Sequence, residues 1–157
     1  MTTDTDLVFQ EIANEIKGLH NRAIQCIEEK NFIDASIYYR KALIITEKIK
    51  FFEGMAITLF SMGNLALLVG DEKEALNNIA DARDMFVKAE KPHENCNELL
   101  KKIVNSIKKK GVTLEKEGKY KEAIDCFETC IPFANEKNKE AMQHEVELLR
   151  RVLNGGQ

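Results

Sequence analysis

The sequence predicts an all-α chain: three antiparallel helical hairpins in series, closed by one further helix. Three observations predict it. Small residues recur in a fixed frame, with Ala23, Gly63 and Gly111 each followed twelve residues later by Ala35, Ala75 and Ala123. Around these positions apolar side chains return at intervals of three and four, the period of an amphipathic helix. Only two of the 157 residues are proline and eight glycine, too few breakers for a many-turned β-sandwich, while Ala, Glu, Lys, Leu and Ile abound.

The frame extends on both sides of the small residues. Leu19, Leu59 and Ile107 stand four before the first small residue, and Cys26, Ala66 and Leu114 three after it. Tyr39, Ile79 and Phe127 come four beyond the alanine, with Ala42, Ala82 and Cys130 seven beyond it. Between the halves, Lys30-Asn31, Gly70-Asp71 and Gly118-Lys119 read as turns. The spacing predicts helices near 5–29, 32–49, 53–69, 72–89, 93–117, 120–136 and 139–153. Asn31 with Asp34, and Asp71 with Glu74, suit N-caps and capping boxes on the second helix of the first two hairpins. Pro92 suits a first turn, where its missing N–H costs nothing. Pro132 falls where a helix would continue, which predicts a kink or an end near Cys130 to Ile131. The last helix carries Met142, Val146, Leu149 and Val152 on one face, and Asn154-Gly155-Gly156 reads as its stop.

Length and charge bound the function. A chain of 157 residues can bury a single core without disulfides, and one domain spanning 1–157 is expected. A net charge of −3 provides no general field for nucleic acid, so none is expected as a partner. The start, Met1-Thr2-Thr3-Asp4-Thr5-Asp6, is the opposite of a basic, apolar signal peptide, and no apolar run is long enough for a membrane span. A cytoplasmic setting away from membranes is expected. No phosphate-binding glycine loop, helical His-Glu-x-x-His or nucleophile elbow occurs, so neither an enzyme nor a cofactor is expected. His20, His93 and His144 are far apart and read as surface helix residues. His93-x-x-Cys96 and Cys126-x-x-x-Cys130 imitate a zinc pattern. If the turn lies near residue 118, however, about 15 Å of helix separates the halves, against the 2.3 Å or so of a zinc–thiolate bond. The cysteines read as thiols packed in a reducing cytosol, and no metal site is expected.

Residues 16–135 resemble the tetratricopeptide repeat family. The second unit carries the resemblance best, in Leu59-Phe60-Ser61-Met62-Gly63-Asn64-Leu65-Ala66, Gly70-Asp71 and Glu74-Ala75-Leu76. The repeats would lie near 16–49, 53–89 and 93–136, with a capping helix near 139–153. Successive alanines, Ala35, Ala75 and Ala123, stand 40 and 48 residues apart, longer than the usual period of about 34. Together with Phe52-Glu53-Gly54-Met55-Ala56 this resembles the long-helix subtype known from kinesin light chains, spindle-orientation adaptors and bacterial peptide-sensing regulators. The resemblance implies a right-handed superhelical array of the three hairpins. Arg22 and Lys110 depart from the pattern where an aliphatic residue is common, so either their charges reach outward or the packing there is looser.

Helical-repeat arrays bind through the first helix of each hairpin. Counting round those helices places Lys17, His20, Ile24, Ile27 and Glu28 on the first inner face, and Ile57, Phe60, Asn64, Leu67 and Leu68 on the second. Asn105, Lys108, Lys109, Val112, Glu115 and Lys116 fall on the third. The expected peptide-binding groove therefore has an apolar middle and a basic end. Between Glu98 and Lys121 eight lysines face three glutamates, and Lys102, Lys109 and Lys116 recur every seven residues along one side. Asn64 can both donate to and accept from an extended backbone; in the long-helix subtype asparagines at this place bind peptide backbone, which the resemblance implies here. The chaperone-tail clamp of other family members does not fit. Where it needs Lys and Asn the first unit has His20 and Ile24, its second-unit Asn is Ser61, and of its third-unit Lys and Arg only Lys109 is basic, beside Asn105. The expectation is a non-enzymatic adaptor for a short peptide or partner helix, with an apolar anchor and acidic flanks. The alternative is a scaffold in which the same surface is buried in a homodimer.

Overall fold

The computed structural model describes residues 3–155. They form α1 (Asp4–Glu28), α2 (Phe32–Lys48), α3 (Phe52–Leu68), α4 (Glu72–Lys88), α5 (Glu94–Lys116), α6 (Tyr120–Cys130), a single 3-10 turn (Ile131–Phe133) and α7 (Glu136–Leu153). No strand occurs among the described residues. Two compact units divide at Cys96 and Asn97, so α5 lies almost wholly in the second.

In the first unit each helix packs on its predecessor, α1 on α2, α2 on α3 and α3 on α4. All four helices end alike. Lys30, Lys50, Gly70 and Glu90 take positive φ of 60°, 53°, 85° and 57°. The following N–H groups, of Asn31, Phe51, Asp71 and Lys91, donate to the carbonyls of Cys26, Thr46, Ala66 and Phe86 at 2.7, 2.9, 2.8 and 2.9 Å. These are six-to-one bonds of the Schellman type, which satisfy carbonyls the helix itself leaves open and reverse the chain in two residues.

The next helix starts at once. Asn31 and Asp71 accept from the N–H groups of Asp34 at 3.3 Å and Glu74 at 3.1 Å, which are the expected N-caps. At the first site the reciprocal half of the box is replaced, because Asp34 accepts from the Asn31 side-chain amide at 2.7 Å. A complete box stands instead at the start of α1, where Thr3 and Asp6 exchange bonds at 3.1 Å.

The small-residue frame marks where backbones meet. Ala23, Ala35 and Ala75 are fully enclosed, and Gly63 is buried. A Cβ on Gly63 would stand 2.4 Å from Cδ1 of Ile79, a side chain that is itself fully enclosed. Ala23, Ala35, Tyr39 and Leu65 form one cluster, against which Cys26, Ile27, Phe32 and Met62 pack. Arg22 reaches outward over the Tyr38 ring, 5.9 Å from its centre, as its misplaced charge requires.

The second unit repeats this closure once and then departs from it. Gly118 (φ 78°) ends the α5 side, and the Lys119 N–H donates to the Leu114 carbonyl at 2.8 Å. Gly111 lies against Phe127, 3.0 Å from where a Cβ would stand, and Ala123 is fully enclosed. The Cys130 thiol donates to the Val104 carbonyl at 3.5 Å. There α6 ends, and Pro132 sits inside the 3-10 turn that follows, as its ring demands. Asn135 accepts from the Asn138 N–H at 2.9 Å and so starts α7 three residues earlier than its apolar pattern suggests. Met142, Val146 and Leu149 are buried, while Val152, expected on the same face, is exposed. An Arg150–Glu128 ion pair ties α7 to α6. Pro92 stands two residues before Glu94, just outside the first turn of α5. Gly156 lies outside the described residues.

Candidate functional site

Sequence α3, FEGMAITLFSMGNLALL, is apolar nearly all round. Gly54, Ala56, Thr58, Leu59, Gly63, Leu65 and Ala66 are buried against its neighbours. The opposite stripe carries the expected residues: Ile57 and Leu68 are 46% and 58% exposed, Asn64 is exposed, and Phe60 and Leu67 are half-buried. These five share one flank of a single helix, with Asn64 set among the four apolar side chains.

The first-unit residues divide. Ile24 is 48% exposed, but Ile27 packs half-buried on the Tyr39 cluster rather than facing outward. His20 is not a surface residue. It lies half-buried between helices, with Nε2 hydrogen-bonded to Oγ1 of Thr58 at 2.8 Å and its ring edge-on to Tyr39 at 5.2 Å. Thr58 is fully enclosed, and His20 is the partner that satisfies its hydroxyl. Burial holds the His20 pKa below its ordinary value, favouring the neutral ring. Burial also raises the Tyr39 pKa, partly offset by a hydrogen bond with Ser61. His93 precedes α5 rather than lying on a helix, and His144 alone is an exposed helical histidine. A signal for His20 was present: Ile16, Leu19, His20, Ala23 and Ile27 follow the three-four spacing of the buried stripe.

On α5, Asn105, Lys108, Lys109 and Val112 join Thr113 in lining one depression of about 580 Å³. A second, of about 480 Å³, lies on the other side of Lys109 and Thr113 and reaches Leu114. Lys116 lies about two turns beyond Lys109 and lines neither. Lys109 and Lys116 are exposed and form no ion pair among the described residues. Glu115 faces Glu145 of α7. The hydrogen bond between them, with burial and the second carboxylate's charge, pushes the Glu115 pKa up to about 7. A protonated Glu115 leaves the lysines beside it less compensated.

One concavity had no counterpart in the sequence argument. Phe32 and Ile33 of α2 and Met62, Leu65 and Val69 at the end of α3 enclose about 440 Å³, rimmed by Arg40 and Glu74. It arises where two hairpin turns meet, so its lining is scattered over 43 positions and no local pattern announces it.

None of the four cysteines is in a disulfide; Cys96 and Cys130 are buried, Cys26 and Cys126 half-buried. Among the described residues no three His, Cys, Asp or Glu side chains converge as a metal site would require. No described helix is long and apolar enough to cross a membrane.

Residues 109–132 match the tetratricopeptide repeat family model. The match spans the last two turns of α5, the Gly118 turn and α6, the third of the three units in the small-residue frame. No curated protein shows significant similarity to the chain.

Proposed function

We propose that this chain, related to the tetratricopeptide repeat family, is a non-enzymatic adaptor that holds a short peptide or a partner helix against α3. The repeat relationship supports a protein–protein interaction role. The observation that carries the finer reading is the α3 strip, where Ile57 and Leu68 stay exposed on both sides of an exposed Asn64. Apolar side chains of the ligand would cover Leu68 and its half-buried neighbours Phe60 and Leu67, an area a helix in a finished core would not leave open. The Asn64 amide would pair with ligand backbone, the role asparagines have in the long-helix subtype.

On α5, Asn105, Lys108, Lys109 and Lys116 form a basic surface suited to acidic flanks of a ligand. Its charge would act mainly on the rate of encounter and would fade with salt. Nucleic acid is disfavoured, because no aromatic side chain interleaves these lysines to stack bases. The reading needs no cofactor and suits the cytoplasm, where cysteines persist as thiols.

Selection from a displayed random-peptide library on the full chain tests it, followed by titration of the enriched peptides against variants. Leu68→Glu should abolish measurable binding. Asn64→Ala should weaken it roughly two- to tenfold, the worth of a lost hydrogen bond. Lys109→Glu with Lys116→Glu should slow association at low salt. Enriched peptides that bind Leu68→Glu and Asn64→Ala as tightly as the wild type would refute the α3 site.

A further inference from the structure

Helix α1 outruns the helices it packs on. It has 25 residues against 17 in α2 and 17 in α3. His20 meets Thr58, which lies only about two turns into α3, so α3 begins roughly level with residue 14 of α1. About two turns, from Asp4 to Glu11, therefore project past both neighbours. They are firmly helical, because the Thr3–Asp6 box closes their free end.

The projecting turns carry a surface the chain itself does not use. The stripe that α1 buries, through Ala23, Leu19, Ile16 and Ile12, continues outward onto Phe9 and Val8, which are 59% and 55% exposed. Acidic residues flank it on both sides, Asp4 and Glu11 beside Val8 and Asp6 beside Phe9, and no basic residue occurs before Lys17. An apolar anchor with acidic flanks is the complement of the α5 surface, where exposed Val112 lies among Lys108, Lys109 and Lys116. Val8, Phe9 and Val112 are all exposed, so each surface is open to a partner.

We propose that the projecting end of α1 docks on the basic surface of α5 in a second copy of this chain, seating Phe9 and Val8 near Val112 and its carboxylates among the lysines. The proposal rests on the reading of α5 as a receptor for acidic flanks. Each copy offers both surfaces, so two reciprocal contacts close a dimer, while unreciprocated ones would extend as a chain.

Sedimentation velocity of the full chain, from about 1 μM to about 1 mM, spans the affinities such a contact can have. The wild type should associate with rising concentration, and less so at high salt. Reversing α1, by Asp4→Lys with Glu11→Lys, should weaken association about tenfold or more at low salt, and Lys109→Glu with Lys116→Glu should do the same. Combining all four substitutions should restore it, a result that loss of folding cannot imitate. Val8→Ser with Phe9→Ser, which leaves charge and buried contacts alone, should also weaken it. A wild type that stays monomeric throughout, or an α1 reversal that associates like the wild type, would overturn the proposal. Selected acidic peptides separate this from the α5 reading. If they still lose affinity for Lys109→Glu with Lys116→Glu, α5 takes a foreign ligand and only the second copy is excluded; if they do not, both readings fail.

Discussion

Between α1 and α3 the first unit holds a neutral histidine, His20, bonded to a fully enclosed threonine; between α5 and α7 the second unit holds two carboxyls, Glu115 and Glu145, against each other. The surroundings differ in the same sense. The first unit has two hairpins with four identical helix ends and alanines enclosed at every crossing, whereas α6 is cut to 11 residues by Pro132 and leans on α7. Tight, regular packing leaves an interior polar group no water, so it must be neutral and paired. A more charged unit can keep an acid pair by sharing a proton. The small-residue frame is common to both and buried in both; what differs is the polar chemistry held between the helices and the clearance at the frame glycine, 2.4 Å at Gly63 against 3.0 Å at Gly111.

The largest effects should come from overfilling the sealed crossings. Ala75→Leu should destabilise by roughly 1–3 kcal/mol, because the site is fully enclosed and the added carbons must displace backbone or neighbours. The same residue placed at exposed Lys73 should be near neutral, as chemical denaturation of the two variants will show. Equal losses would mean that the frame does not mark the crossings.

The two glycines of the frame sharpen the contrast between units. Alanine at Gly63 gains about 1 kcal/mol of helix propensity, but its methyl would lie 2.4 and 2.7 Å from carbons of the enclosed Ile79. A net loss of about 1–2 kcal/mol is expected. At Gly111 the nearest atoms are 3.0 and 3.1 Å away, on Phe127 and Cys126, so small shifts suffice and propensity offsets them. Gly111→Ala should fall within about 0.5 kcal/mol of the wild type. Thermal unfolding that ranks the two in the opposite order would remove the distinction between crossings.

These positions also show how much was legible in advance. Every small residue of the frame is buried, and the helix ends fall within three residues of those the apolar period predicts, except where Pro132 stops α6. Periodicity sees such features because each is local to one helix. His20 and Thr58 are 38 positions apart, and Glu115 and Glu145 belong to different helices, so their pairing follows only from how helices stack. Asp34 shows a finer limit: the capping position was legible, but which donor its carboxylate chooses depends on side-chain rotamers. Of the candidate surface, the stripe on α3 and the greater length of α1 were legible, whereas the end at which α1 outruns its neighbours follows only from where His20 meets Thr58.

The turns offer a smaller test. Lys30, Lys50 and Glu90 hold positive φ with a side chain, whereas Gly70 and Gly118 do so without strain. Glu90→Gly should stabilise the chain by about 0.5–1 kcal/mol, and Gly70→Ala and Gly118→Ala should each cost about 1 kcal/mol. A chain destabilised by Glu90→Gly would show that the glutamate makes a contact outweighing its backbone strain.

The smallest effects should be those of pH, and their signs oppose. His20 has a folded pKa below its ordinary 6.5, so its contribution is intact above 6.5 and is lost as pH falls through the folded value. Glu115 has a folded pKa of about 7 against an ordinary 4.5, so its contribution is intact below 4.5 and is lost as pH rises toward 7. Both windows overlap near pH 6, where the wild type alone would show little. Single variants separate them. His20→Gln keeps a side chain able to bond Thr58 but does not titrate, so stability of the wild type minus that of this variant should increase with pH. Glu115→Gln keeps a hydrogen bond to Glu145, and the corresponding difference should decrease with pH. Urea unfolding in half-unit steps from pH 5 to pH 8 reads both differences. Slopes of the same sign would mean that one of the two groups is not held in the protonation state its surroundings favour, and the contrast in polar chemistry between the units would fail with it.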